Sequence, residues 1–126
     1  MQPETAMAAL WGPSLVHLER CLDLLAARQR VVASNIANAD TPGYRAREID
    51  FRSELESFAA QSSPTSFYPG LLVREKWGQG AKNDGNNVDL DHELESLSEN
   101  ALRFSLASSM LQKQIQELRN AIREGK

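Results

Sequence analysis

Ten positions late in the chain, Leu90, Leu94, Leu97, Ala101, Phe104, Ser108, Leu111, Ile115, Leu118 and Ile122, follow one another at intervals of 4, 3, 4, 3, 4, 3, 4, 3 and 4 residues. Alternating threes and fours put all ten on one narrow stripe of an α-helix, and only Ser108 among them is polar. A second stripe passes through Leu15, Leu18, Leu22, Leu25, Gln29, Val32 and Ile36 at intervals of 3, 4, 3, 4, 3 and 4. Two coiled-coil-like seams at opposite ends of a 126-residue chain predict an all-α fold. Its long N- and C-terminal helices pair as a coiled-coil-like hairpin around an irregular middle with room for a short β-hairpin.

The chain reads as a single domain over residues 1–126, with a helix at 15–38, a turn and irregular outer segment at 39–87, and a helix at 89–124. Met1–Trp11 is weakly helical in composition, and Ser14 can cap the first long helix. Asn38 to Gly43 ends that helix, because a residue before proline avoids the α region and Pro42-Gly43 fits the centre of a type II turn. Tyr44–Phe51 reads as extended, Arg52–Ala60 as a short helix around Leu55, Phe58 and Ala59, and Leu71–Trp77 as a strand or hairpin arm. Asp89 is the expected N-cap of the last helix and Gly125 lies just past its end. Acids crowd the start of that helix and bases its end, in keeping with the helix dipole. Aromatic residues make up only 6% of the chain, so its core must be built of Leu, Ile, Val and Ala.

A formal charge of −3 argues against nucleic acid as a partner. The single cysteine, Cys21, allows no internal disulfide. The first ten residues lack the basic and apolar regions of a secretory signal, and no stretch nears the ~20 apolar residues of a membrane span. His17 and Cys21 share a helix face, but two ligands do not close a zinc site and His92 is far along the chain. A calcium loop through Asn83–Asp91 fails on register: with Gly85 at the sixth position, Gly80 and Lys82 fall where carboxylates are needed. The acids Asp89, Asp91 and Glu93 have no aromatic-lined cleft beside them in the sequence. Gly78-Gln79-Gly80 lacks the third glycine and the strand-to-helix context of a phosphate loop. No metal, cofactor or small-molecule substrate is indicated, and an enzyme is not expected.

Each helix carries more apolar surface than one partner covers. Leu24 and Ala27 widen the first stripe, and Leu102 and Leu106 flank Phe104 on the second. Leu15, Leu18, Leu22, Leu25, Val32 and Ile36 are expected to face Leu94, Leu97, Phe104, Leu111, Ile115 and Leu118. Gln29 and Ser108 are polar breaks that set register. Other subunits are expected to cover the apolar remainder.

The segment Ala33-Ser34-Asn35-Ile36-Ala37-Asn38-Ala39-Asp40-Thr41-Pro42-Gly43-Tyr44-Arg45 resembles the N-terminal signature of the bacterial flagellar rod, hook and hook-associated axial proteins. Within that family, Asp84-Gly85-Asn86-Asn87-Val88-Asp89-Leu90-Asp91 and Glu99–Phe104 are similar to the proximal rod members. The resemblance implies a non-catalytic structural subunit of the basal-body rod, assembled through its terminal helices and transmitting torque. It implies as partners other rod proteins, basal-body ring and export-gate proteins and further copies of the chain. It also implies a periplasmic rod location reached by flagellar type III export without a cleaved signal. On the same resemblance Asn35 and Asn38 would bond backbone carbonyls or a neighbouring subunit, Thr41, Pro42 and Gly43 would reverse the chain, and Tyr44 would anchor the outgoing segment by its ring. The alternative is a coiled-coil adaptor or secretion-system structural subunit outside the flagellum; a small hydrolase using His17, Cys21 or the acids near Asp91 comes third.

Overall fold

The computed structural model describes residues 15–60, 73–76 and 80–125, with no side-chain placement for 58–60. The elements in order are α1 (Leu15–Ala37), β1 (Arg47–Ile49), α2 (Phe51–Ala60), β2 (Val73–Glu75) and α3 (Leu90–Glu124). The expectations for Met1–Trp11, Ser14, Gln61–Leu72 and Trp77, and for the packing of Phe58 and Ala59, fall outside the described residues.

Local chemistry sets the element ends. The Asp89 carboxylate accepts the His92 N–H, which caps α3 at a donor the helix cannot satisfy itself. At the far end the Gly125 N–H bonds the Ala121 carbonyl at 2.8 Å. Asp50 does for α2 what Asp89 does for α3, its carboxylate accepting the Ser53 N–H at 3.2 Å. Strands β1 and β2 pair antiparallel, with Arg47 opposite Glu75, Glu48 opposite Arg74 and Ile49 opposite Val73. Across this pair Arg74 bonds Glu48 at 3.2 Å and lies 3.5 Å from Asp50, ion pairs exposed enough to contribute little.

Helices α1 and α3 run antiparallel along each other: Leu25 meets Asn100, Arg28 lies 4.0 Å from Glu99, and Val32 shares a cavity wall with Glu93. β1 and α2 also contact α1. Among the described residues the buried apolar ones are Leu18, Leu24, Leu25 and Val32 of α1, Ala46 and Ile49 at β1, Val88, and Ala107 of α3.

One expectation is corrected. Leu18, Leu25 and Val32 of the first seam are buried, Leu22 and Ile36 are half-buried, and Leu15 is exposed. On α3, however, the seam does not face them squarely. Leu94 is 45% exposed, Phe104 44%, Ile115 40%, Leu118 50% and Ile122 72%, with Leu97 and Leu111 half-buried. The buried residues of α3 are instead Glu93, Ser96, Asn100 and Ala107, a stripe one position behind the seam and so turned by about 100° around the helix.

Two physical reasons account for this. Polar partners from elsewhere in the chain hold Glu93 and Asn100 inward, and a 3.5-residue repeat slips by ~20° per heptad on a straight helix. The seam therefore starts beside the contact and swings towards it by Leu111. By then α1 has run out: counting ten residues back from Leu25 and ten on from Asn100 sets Leu15 opposite Met110. Residues 111–124 of α3 extend beyond it by about 20 Å.

Candidate functional site

Below the end of α1 the chain turns on its asparagines. The Asn35 side chain is fully buried and treats Arg47 as one peptide treats another: its Nδ2 donates to the Arg47 carbonyl at 2.8 Å and its Oδ1 accepts the Arg47 N–H at 3.0 Å. The same Oδ1 accepts the Tyr44 hydroxyl at 3.1 Å. Asn35 thus fastens the first residue of β1 to the last turn of α1. Tyr44 reaches that junction through its hydroxyl, which also lies 3.2 Å from Ser34 Oγ.

Asn38 closes the helix end, its Nδ2 donating to the Ser34 carbonyl at 2.8 Å and its Oδ1 accepting the Thr41 hydroxyl at 3.0 Å. The turn follows, with the Tyr44 N–H on the Thr41 carbonyl at 3.2 Å and Gly43 at φ 74°. Proline at the second position and positive φ at the third make it type II.

The loop ahead of α3 completes the junction. Asn86, fully buried, donates through Nδ2 to the carbonyls of Asn38 at 2.9 Å and Thr41 at 2.8 Å, while its Oδ1 accepts the Val88 N–H at 2.9 Å. Asn87 accepts the Ala46 N–H on Oδ1 at 2.5 Å, and its own N–H meets the Tyr44 carbonyl at 3.3 Å. The Gly43 N–H bonds the Asp84 carbonyl at 2.8 Å, and Gly85, at φ 87°, sits so that a Cβ there would lie 3.4 Å from Gly43 Cα. Three buried amides therefore satisfy backbone groups that the turn would otherwise leave without partners.

Two further polar contacts knit α3 to the rest. Lys76, next after β2, pairs with Glu93 in the buried stripe of α3; the lysine side chain is 9% exposed and the glutamate 0%. The Lys76 N–H meanwhile holds the Ala46 carbonyl at 2.9 Å. Asn100 donates to the Leu25 carbonyl at 3.0 Å and to Gln29 Oε1 at 2.8 Å. Gln29, the polar break of the first seam, meets Asn100. Reading the sequence for apolar periodicity missed Lys76, Glu93 and Asn100. A signal for the last two was present: Glu93, Ser96, Asn100, Arg103 and Ala107 repeat at 3, 4, 3 and 4 beside the seam.

The residues weighed for chemistry do not assemble into a centre. His17 is exposed, and burial pushes the Cys21 thiol up, with the Arg103 guanidinium pulling it partly back. A nucleophilic thiol needs the opposite shift. Among the described residues no three of His, Cys, Asp and Glu are grouped to hold a metal ion, and no helix is long and apolar enough to cross a membrane.

A family model described as flagella basal body rod protein matches residues 16–45, the span of α1 and the type II turn through Tyr44. The chain is 34% identical to the flagellar basal body rod protein FlgB of Escherichia coli strain K12, covering 85% of this chain and 91% of that one. The chain belongs to the FlgB family of flagellar basal body rod proteins. It is also similar to FlgB of Borrelia hermsii, at 33% identity over 72% of this chain and 82% of that one. FlgB of Bacillus subtilis strain 168 is 25% identical over 94% of this chain and 99% of that one.

The turn that the family model includes lends itself to a direct measurement. Nothing lies within 4 Å of a Cβ placed on Gly43, so the cost of a side chain there comes from φ alone. Left-handed backbone costs an ordinary L-residue ~1–2 kcal/mol, less for asparagine and more for a β-branched residue. Urea unfolding is therefore expected to rank Gly43→Asn, Gly43→Ala and Gly43→Val in order of increasing loss, with the valine variant down by ~2 kcal/mol or more. Equal losses for all three would mean that φ at this position does not set the cost.

Proposed function

We propose that the chain is a structural, non-catalytic subunit of the proximal rod of the flagellar basal body, and that it passes torque to its neighbours through its terminal helices. The observation that carries this reading is the unused apolar face of α3. Leu94, Leu97, Phe104, Leu111, Ile115 and Leu118 form a ridge that α1 covers only in part, and a soluble monomer gains nothing from leaving such a ridge in water. On α1 the seam residues Leu18, Leu25 and Val32 are spent on the chain's own core, and Leu15, with the half-buried Leu22 and Ile36, is what that seam leaves for a neighbour. Neighbouring rod subunits, the ring and export-gate proteins at the rod base and further copies of the chain are the partners this reading assigns. Asn35, Asn38, Thr41, Pro42, Gly43 and Tyr44 hold the outgoing segment at a fixed angle to the helices, so that load on one reaches the other. Delivery by the flagellar type III exporter would place the subunit in the periplasmic rod.

Substituting the overhang tests the reading. Leu118 and Ile122 are half or more exposed, and lysine is favoured near a helix C-terminus, so Leu118→Lys/Ile122→Lys should change unfolding free energy by no more than about 0.5 kcal/mol. In cells lacking the native copy, the same variant is expected to give no swimming halo and no completed rods in isolated envelopes. Normal swimming would show that this face has no part in assembly.

A further inference from the structure

Beside the contact between α1 and α3 lies an open groove of about 490 Å³, walled by Leu25, Ala26 and Arg30 on one side and by Asn100, Ala101 and Phe104 on the other. Leu25, Ala26, Ala101 and Phe104 supply the apolar part of its lining. The other two residues call for an occupant that is not purely apolar. Arg30 is exposed, and no carboxylate pairs with it among the described residues. Asn100 is 2% exposed, both donor bonds of its amide are made, and its Oδ1 has no hydrogen-bond partner among the described residues.

We propose that residues 4–11 of the same chain fold back along α1 and lie in this groove as a strap. The proposal does not depend on the rod reading. Residues 6–11 are Ala, Met, Ala, Ala, Leu and Trp, an apolar run rich in small side chains. Such a run lets its backbone come close to a wall, and its N–H groups are donors of the kind that the Asn100 carbonyl lacks. Glu4 is the one charged side chain among the first 14 residues, and it is opposite in sign to Arg30. The lengths also agree. Ala26 lies 11 residues past Leu15, about 16 Å along the helix axis. Ala8 lies seven residues before Leu15, and seven extended residues span up to about 24 Å. A reversal uses the surplus, and Gly12-Pro13 is turn chemistry, since a residue before proline avoids the α region. Glu4 stands four residues beyond Ala8, as Arg30 stands four beyond Ala26, so the charge of the segment comes to the charge at the rim. Tethered to the helix that it covers, the segment is present at the groove at roughly millimolar effective concentration, ahead of a dilute competitor. With the strap in place the groove is closed, and the segment has to lift before anything else can enter.

A disulfide tests the strap directly, because two cysteines join only when their Cα atoms come within about 7 Å. In a Cys21→Ala background, Ala8→Cys and Ala101→Cys are placed on one full-length chain, which is purified, oxidised and digested with trypsin without reduction. The joined product of peptides 1–20 and 83–103 is expected at a yield at least tenfold above that from Ala8→Cys with Glu95→Cys. Glu95 is exposed on α3 but lies about 120° around the helix from Ala101. Adding Glu4→Arg or Arg30→Glu should lower the yield at least twofold, and adding both should restore it. Oxidising a mixture of ordinary and nitrogen-15-labelled chains should give joined peptides of one isotope only, at a yield independent of dilution.

A second measurement needs no cysteine and decides the matter should the cysteine chains fail to fold. Trp77→Phe leaves Trp11 as the one tryptophan. Acrylamide quenching of its fluorescence should rise at least twofold when Ala101→Glu, a change at an exposed position, sets a charge in the groove. Quenching that Ala101→Glu leaves unchanged would overturn the strap. So would a joined yield no higher than that of the Glu95→Cys control in chains whose circular dichroism matches the native one. Joined peptides of mixed isotope would overturn the assignment to the chain's own segment. None of these results bears on whether the chain is a rod subunit, which the swimming and envelope tests decide.

Discussion

A Lys76→Met chain is expected to lose about 3–5 kcal/mol of unfolding free energy, the largest effect of any single side chain outside the apolar core. Glu93 is wholly buried in the face of α3 that packs on α1, and Lys76 is the partner of its Oε1. Its Oε2 already has no hydrogen-bond partner among the described residues. Removing the ammonium leaves a fully buried carboxylate without its ion-pair partner, a cost well above the net worth of the pair. The two parts of that statement separate experimentally. Lys76→Met should unfold at much lower urea than the native chain, followed by circular dichroism, whereas Lys76→Met/Glu93→Leu should recover most of the loss. A buried pair replaced by apolar groups of like volume is often neutral or better. Should the double variant be as weak as the single one, the pair would be stabilising outright and the penalty argument would fail. Lys76 follows β2 directly and also holds Ala46, so the single variant should loosen the two-stranded sheet along with α3.

This pair also marks where sequence reading stops. The long helices were legible because their information is local: Asp89 caps α3, the seams set helical period, and Pro42-Gly43 demands a turn with positive φ, observed at 74°. The strand pairing could be anticipated from two extended stretches, though not its register. Which stripe of α3 turns inward was not legible. It depends on Lys76, 17 residues before Glu93 in an irregular segment, and on Leu25 and Gln29, at least 71 residues before Asn100. Apolar periodicity alone assigns the inside to leucines and has no means of seeing a polar stripe held by distant partners. Asn86 and Asn87 were hidden likewise, since an Asp-Gly-Asn-Asn run reads as a solvated loop until its amides are found under the turn. The overhang of α3 was legible only as excess length. That the excess leaves apolar surface without an α1 partner became clear once Leu25 was placed against Asn100.

The other large effect is expected at Asn35. Among the residues of the family signature it alone bonds both backbone groups of another residue, the Arg47 N–H and carbonyl, and accepts a third bond from Tyr44. Asn35→Ala removes all three and leaves the backbone of Arg47 facing the end of α1 with nothing to replace the amide. At about 1 kcal/mol per part-buried bond, with more for any group kept from water, the loss should be ~3 kcal/mol. For a chain of this size that corresponds to a fall in melting temperature of roughly 10 °C. Asn35→Asp is an instructive companion. It keeps the acceptor for Tyr44 and Arg47 but sets a carboxylate oxygen against the Arg47 carbonyl, so it should be destabilised as well, although nearly isosteric. Asn38→Ala, whose bonds lie in the exposed end of α1, should cost ~1 kcal/mol or less. Thermal unfolding of the three variants beside the native chain separates these cases. An Asn35→Asp chain as stable as the native one would mean that the bond to the Arg47 carbonyl carries no weight. The junction would then be held by the Asn86 and Asn87 amides instead.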